Sequence, residues 1–225
     1  MGSTYTGEVT PGGTPDVREL SKLIVTKVAV DPQMSNNCYV LRCRATDEQV
    51  LIDAADDGPT LLRVLGGDGA SKVITTHQHW DHHRALRQVV DATGAVVVAG
   101  EPDAAAITEQ TGVPVDDRVK DGDLVEFGEA RLEVIHLVGH TPGSIALLYD
   151  DPDGTPHLFT GDSLFPGGVG NTSGDERAFR SLFHDVSTKL FDRLPDETWF
   201  YPGHGNDSTL GAERPQLKEW QARGW

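Results

Sequence analysis

The stretch Thr76-His77-Gln78-His79-Trp80-Asp81-His82-His83 places four histidines and an aspartate within eight residues of a chain that has nine histidines in all. An H-x-H-x-D-H pattern arises by chance on the order of once in a thousand chains of this composition. It follows directly on Lys72-Val73-Ile74-Thr75, whose β-branched residues read as a strand. Just past a strand end, His77 and His79 at i and i+2 can turn both imidazoles towards one cation, while Asp81 and His82 point to a second position beside it. A loop that was merely polar would crowd imidazoles that repel one another once protonated. His83 adjoins these residues, but neighbours at a helix start point apart, so it is expected to support the loop or face solvent.

Three further polar residues follow apolar runs and sit beside glycines. They are His140 in Gly139-His140-Thr141-Pro142-Gly143, Asp162 in Thr160-Gly161-Asp162, and His204 in Pro202-Gly203-His204-Gly205. Glycine lets the backbone turn sharply or approach a ligand, so that the adjoining side chain projects inward from a strand end. Each piece alone would pass for a turn aspartate or a hydrogen-bonded core histidine. Beside the first motif they become a set.

Working outward, Leu23 to Val30, Cys38 to Arg42 and Val50 to Asp53 read as successive antiparallel strands, followed by a helix from Pro59 to Leu65. Beyond the histidine loop come a helix about Ala85 to Ala92, a strand Ala95 to Ala99 and a helix about Asp103 to Gln110. Then Leu124 to Phe127, Ala130 to Leu137, Ser144 to Asp150 and Pro156 to Thr160 read as strands, with hairpin turns at Gly128-Glu129 and Asp153-Gly154. A helix from Arg177 to Leu194, a strand Thr198 to Tyr201 and a helix Thr209 to Arg223 close the chain. Two halves that each supply strands and then helices predict an α/β fold of two mixed sheets packed face to face with helices outside, a four-layer αββα sandwich. Residues 1–20, rich in Gly, Thr and Pro, read as a tail or edge segment, and 21–225 as one domain.

Composition narrows the function. With 225 residues, 37% of them hydrophobic, and 25 glycines and 13 prolines, the chain is loop-rich and globular rather than disordered or coiled-coil. The 19 Lys and Arg against 35 Asp and Glu give a net charge of −16, which repels a phosphate backbone and argues against nucleic acid as a partner. No run approaches the roughly 18 apolar residues of a bilayer span, and no basic start leads into an apolar stretch, so a cytoplasmic location without a membrane partner is expected. Cys38 and Cys43 fall on opposite faces of one unbroken strand, too far apart for a disulfide, which fits a reducing compartment.

The motifs at Thr76 to His82, Gly139 to Ser144, Thr160 to Phe165 and Pro202 to Gly205 resemble, in order, those of the metallo-β-lactamase superfamily, and within it the hydrolases similar to glyoxalase II. The resemblance covers about Leu23 to Gly205 and implies the αββα sandwich. It also implies that His77, His79 and His140 hold one metal, that Asp81, His82 and His204 hold another, and that Asp162 bridges them. Two divalent ions, zinc first and iron as the alternative, would outweigh the two carboxylates and leave the centre positive. A water between metals has its pKa lowered to around 7, so a bridging hydroxide could attack the carbonyl of a small ester, thioester or lactone. Asp81 would orient that nucleophile and is the catalytic candidate, with Trp80, Phe165 and Asn171 as candidates for the substrate cleft. The loop from Phe165 to Thr172 lacks the lysine and spacing of a phosphate loop and reads as a cleft wall.

Two departures matter. Glyoxalase II enzymes carry a C-terminal helical region with basic residues for glutathione, whereas 21 residues follow His204 here. A different small-molecule acyl substrate is therefore favoured. Persulfide dioxygenases look similar through all four motifs, but carry Arg and a nearby Asp where Asn171 and Ser173 stand. A mononuclear iron dioxygenase is accordingly the alternative, and a non-catalytic metal-binding protein the third reading. The oligomeric state stays open, a homo-oligomer included.

Overall fold

The computed structural model describes Tyr5 to Gly224, so residues 1–4 of the expected N-terminal segment lie outside the described residues. The first sheet runs in chain order: β1 (Asp16–Glu19), β2 (Leu23–Ala29), β3 (Asn37–Cys43), β4 (Gln49–Ile52), β5 (Lys72–Thr75), β6 (Val96–Gly100) and β7 (Asp117–Val119). Pairing is antiparallel from β1 to β4 and parallel from β4 to β7. Parallel neighbours need crossovers, and these are α1 (Gly58–Leu65), α2 (Leu86–Thr93) and α3 (Ala104–Thr111). The Asp57 side chain caps α1 by accepting from the Thr60 amide, with Pro59 in the first turn.

The second sheet contains β8 (Leu124–Phe127), β9 (Ala130–His136), β10 (Ile145–Tyr149) and β11 (His157–Gly161) as an antiparallel meander. A short hairpin, β12 (Leu164–Phe165) and β13 (Gly168–Val169), leads to α4 (Glu176–Asp185). The chain then returns as β14 (Trp199–Pro202), parallel to β11, and β15 (Ser208–Thr209) at the edge. Two helices, α5 (Leu210–Glu213) and α6 (Leu217–Arg223), end the described chain.

Side-chain alternation sorts these strands into three cores. Cys38, Val40, Leu51, Val73 and Val97 face α1, α2 and α3 through Leu61, Leu86 and Ile107. Their neighbours Tyr39, Leu41, Ile52, Ile74 and Val98 point the other way and meet Val134, Leu147, Phe159 and Tyr201 of the second sheet. That sheet turns Ile135, Leu148, Leu158 and Phe200 outward onto Phe179 and Leu182 of α4 and Trp220 of α6. Strands buried on both faces read as near-continuous apolar runs, and four layers are the outcome. Cys38 and Cys43 lie in different cores, both as free thiols.

Several elements differ from the sequence reading, the short strands β12, β13 and β15 among them. β7 was not expected, because Asp117 and Arg118 are exposed and only Val119 is buried, which leaves no apolar pattern. The helix expected from Arg177 to Leu194 widens after α4 into a π turn over Val186–Phe191, which buries Val186, Leu190 and Phe191 together. The helix expected from Thr209 to Arg223 breaks at a 3-10 turn, Arg214–Gln216, around Pro215, which has no amide hydrogen to continue the ladder. Within the expected N-terminal segment, β1 pairs with β2 as an edge strand. Among the described residues, no helix is long and apolar enough to cross a membrane.

Candidate metal centre

Strand ends from both sheets converge at one edge. The Ile145 amide donates to the Thr76 carbonyl at 3.0 Å, tying the start of β10 to the end of β5, and the Gly203 amide donates to Gly161 at 2.8 Å. Gly161 has φ +48°, and a Cβ there would lie 2.8 Å from Thr76 Cβ, so only glycine lets the two sheets close this tightly. At Gly203 a Cβ would sit 2.2 Å from Asp162 Oδ1, so a side chain there would fill the site itself.

The candidate ligands from all four motifs meet here. His77 Nε2 lies 3.1 Å from His79 Nδ1 and 3.2 Å from His140 Nε2. Beside this triad, His82 Nε2 and His204 Nε2 are 3.2 Å apart, with Asp81 Oδ2 3.4 Å from the first and 3.3 Å from the second. Asp162 stands between the groups: Oδ1 is 3.4 Å from His82 Nε2, while Oδ2 is 3.4 Å from His204 Nε2 and 3.7 Å from His140 Nε2. Three sets of side chains could each hold an ion: His77 with His79 and His140, His77 with His82 and Asp162, and Asp81 with His82 and His204.

The outer nitrogens set the tautomers. His140 Nδ1 donates to the Asn171 carbonyl at 2.7 Å, His204 Nδ1 to the Met34 carbonyl at 2.8 Å, and His82 Nδ1 to Asp53 Oδ2 at 2.8 Å. Thr76 Oγ1 gives its hydrogen to Asp53 Oδ2 and so accepts from His77 Nδ1 at 3.0 Å. In the neutral rings, the inward Nε2 atoms therefore carry lone pairs that face one another, an arrangement that repels unless a cation lies between them. Ligand nitrogens about 2.0–2.1 Å from a tetrahedral zinc stand roughly 3.3–3.4 Å apart, close to the spacings found. Asp162 Oδ1 is buried without a hydrogen-bond partner, a further sign that the donor set fits a metal ion.

The electrostatics divide the site. Burial, with His82 nearby, holds the His77 imidazole well below its ordinary pKa, and burial also lowers His140, so these two rings favour the neutral form that coordinates a cation. Burial would push His82 down too, but Asp162 and Asp53 raise it well above the usual range. His204 opposes the same burial and is raised to about 10 by Asp162 and Asp81. Burial would raise the two carboxylates, yet His204 and His82 hold Asp81 low, and His82 with His204 holds Asp162 low. A divalent cation at the second triad would thus take the place of protons.

Several residues that build the centre were not singled out from the sequence. Asp53, at the end of β4, accepts from the Thr76 amide at 2.8 Å as well as from Thr76 Oγ1 and His82. Asn36 Nδ2 donates to Asp81 Oδ2 at 2.9 Å. Asp103 accepts from the Gln78 amide at 2.9 Å, from Thr141 Oγ1 at 2.5 Å and from the Gly143 amide at 2.7 Å, lashing the two histidine loops together. A lone aspartate after a strand looks like a turn residue; the available signal was that Asp53 and Asp162 both follow buried apolar strands.

The remaining candidates lie around the centre. Trp80 is 54% exposed, with the Arg84 guanidinium 4.6 Å from its ring centroid. The Phe165 ring is 6.3 Å from that of His204, on a hairpin held by Gly167, whose amide donates to Glu213 at 2.9 Å and whose carbonyl accepts from Arg223 at 2.7 Å. Asn171 meets the site through its backbone carbonyl, whereas its side chain accepts from the Ser173 amide at 2.8 Å. His83 is buried and donates to the Gln78 carbonyl at 3.2 Å, supporting the loop.

Comparison with known proteins matches the same span. The family model described as the metallo-beta-lactamase superfamily matches residues 31–204. A hydroxyacylglutathione hydrolase of Polaromonas sp. is 35% identical over 187 residues, which are 81% of this chain and 66% of that enzyme's length. Among solved structures, ETHE1 from Myxococcus xanthus superposes with a TM-score of 0.73 at 27% identity, covering 88% of this chain and 84% of that one. TTHA1623, solved in a di-iron-bound form, gives a TM-score of 0.64 at 30% identity, covering 84% and 96%.

Proposed function

The chain belongs to the metallo-beta-lactamase superfamily, and from that footing we propose that it is a dinuclear metallohydrolase that cleaves a small ester, thioester or lactone. The observation that carries this reading is the pair of donor triads with Asp162 between them, complete on both sides. His77, His79 and His140 would hold one divalent ion and Asp81, His82 and His204 the other, with Asp162 shared; zinc suits this imidazole and carboxylate set, and iron is the alternative. Such ions, when bound, supply a water acidic enough to ionise near neutral pH and a Lewis acid for the carbonyl oxygen.

The protein's own contribution is orientation. Asn36 fixes Asp81 Oδ2 at 2.9 Å, and the low pKa of Asp81 keeps it ionised, so it can accept the hydrogen bond of an attacking water and aim it. Asp53 and Asp103 hold the histidine loops rigid, so that little reorganisation is needed as the reaction proceeds. Trp80 and Phe165 would offer apolar surface to the acyl or leaving group.

The relationship to hydroxyacylglutathione hydrolases favours thioester or ester chemistry. The matched span covers 66% of the Polaromonas enzyme's length. A small ester, thioester or lactone is the first choice of substrate. The likeness to ETHE1 favours, as the second reading, a mononuclear iron dioxygenase acting on a persulfide; a metal-binding protein without turnover ranks third. Two buried free thiols agree with a cytoplasmic setting. The test is the metal content of the protein as purified without added metal, followed by hydrolysis assays on thioester, ester and lactone panels. Near two zinc per chain with turnover supports the proposal, while one iron per chain with persulfide-dependent oxygen uptake overturns it.

A further inference from the structure

Lys27 lies within β2 with its ammonium wholly buried, close to the metal centre yet used by none of its ligands. Its Nζ donates to the carbonyls of Gly7 and Gly205, each at 2.8 Å, and to Asp207 Oδ1 at 2.6 Å, so its three donors are all satisfied. Asp207 Oδ2 in turn accepts from Tyr5 Oη at 2.6 Å and from Trp199 Nε1 at 3.1 Å. One buried ion pair thus joins the N-terminal segment, β2, the start of β14 and the loop that carries His204.

Burying two charges costs desolvation that their attraction does not reliably repay, and well-packed apolar residues often serve stability as well or better. The geometry imposed by the pair is the more telling consequence. Gly205, the residue directly after His204, has its carbonyl gripped by Lys27 at 2.8 Å and by Asn37 Nδ2 at 2.9 Å. The His77, His79 and His140 triad is positioned instead by Thr76, Asp53, Asp103 and the Asn171 carbonyl, with no hydrogen bond to the Lys27 cluster.

We propose that Lys27 and Asp207, braced by Tyr5 and Gly7, are positioning residues for His204, and that they set the affinity of the metal position it shares with Asp81 and His82 without affecting the other. This inference rests on the two-metal reading above. Cobalt(II) titration of the metal-free full chain, followed by visible absorption and calorimetry, resolves the two equivalents. The test variant is Lys27→Met/Asp207→Asn, which removes both buried charges together and leaves neither stranded; Tyr5→Phe, which keeps both charges and removes one hydrogen bond to Asp207, is the milder second variant. Circular dichroism first establishes that each is folded.

In the double variant the first equivalent should bind as in the wild type, while the second binds at least tenfold more weakly with altered absorption. Tyr5→Phe should show a smaller loss, again confined to the second equivalent. Unchanged binding of both equivalents in a folded variant overturns the proposal, and so does equal weakening of both, which is what a merely structural role would give. A wild-type chain that accepts a single equivalent overturns the two-metal reading itself, and the proposal falls with it.

Discussion

Asp53 adopts a left-handed backbone conformation, φ 56°, that few non-glycine residues accept, and both of its oxygens are engaged in the buried edge beneath the histidine loop. It grips Thr76 at the start of the loop and His82 near its end, so a single carboxylate sets the spacing of the loop and the tautomer of one candidate ligand. Asp53→Asn keeps the shape but replaces one acceptor oxygen with a donor amide, which cannot receive both the Thr76 and the His82 hydrogens. By the usual cost of losing a partner to a metal-binding imidazole, metal affinity should fall about 10- to 100-fold. Folding should weaken by roughly 1–3 kcal/mol for the acceptor lost in a buried place. Isothermal titration with zinc and urea unfolding measure the two separately, and a variant that matches the wild type in metal affinity removes Asp53 from the centre.

Secondary structure was legible where a strand shows a buried apolar run or a clean alternation: Lys72–Thr75, buried from Val73 on, and Leu124–Phe127, alternately exposed and buried, have the bounds the sequence predicted. It was not legible in β7, where two of three residues face solvent, nor at the π turn, whose register depends on packing against the second sheet. The same contrast holds for the site. His77, His79 and His82 stand in a dense local motif, whereas Asn36, Asp53 and Asp103 become partners only when separate strand ends are brought to one edge. His157 shows the point within an element pair: no motif surrounds it in the sequence, and β11 buries it against β14, where its Nδ1 accepts from Tyr201 Oη at 2.9 Å. Burial, with Arg18 nearby, lowers its pKa to about 4. The folded state thus binds fewer protons than the unfolded chain, whose histidine titrates near 6.5. The stability it contributes is complete above pH 6.5 and is lost as pH falls towards 4, by roughly 3 kcal/mol when fully developed. His157→Gln retains an acceptor for Tyr201 without a titrating ring, so its unfolding free energy should decline less between pH 7 and pH 4.5; an unchanged slope would place the proton uptake elsewhere.

At the scale of the whole molecule, the edge where the two sheets meet is also where charge is concentrated without full compensation. The chain carries a net charge of −16, and Asp53, Asp81 and Asp162 are drawn together at that edge by the convergence of β4, β5 and β11. A bound cation would satisfy the orphaned Asp162 oxygen and separate the facing imidazole lone pairs, and it would do so only in the folded state, because the ligands come from four loops spread between His77 and His204. Binding that is confined to the native state adds to stability: an ion at 100 times its dissociation constant contributes about 2.7 kcal/mol. For a domain of this size each kcal/mol moves the melting temperature by about 2–4 °C. Removing metal with a chelator should therefore lower the melting temperature by about 5–10 °C, and adding zinc back should restore it. In the chelated protein the second triad relies on His82 and His204 as imidazolium partners of Asp81 and Asp162, so raising the pH towards the His204 value of about 10 strips those protons and widens the gap between metal-free and metal-loaded forms. Scanning calorimetry of the two forms at pH 7 and pH 9 tests both statements, and coincident melting curves at both pH values would mean that the edge holds no metal that folding feels.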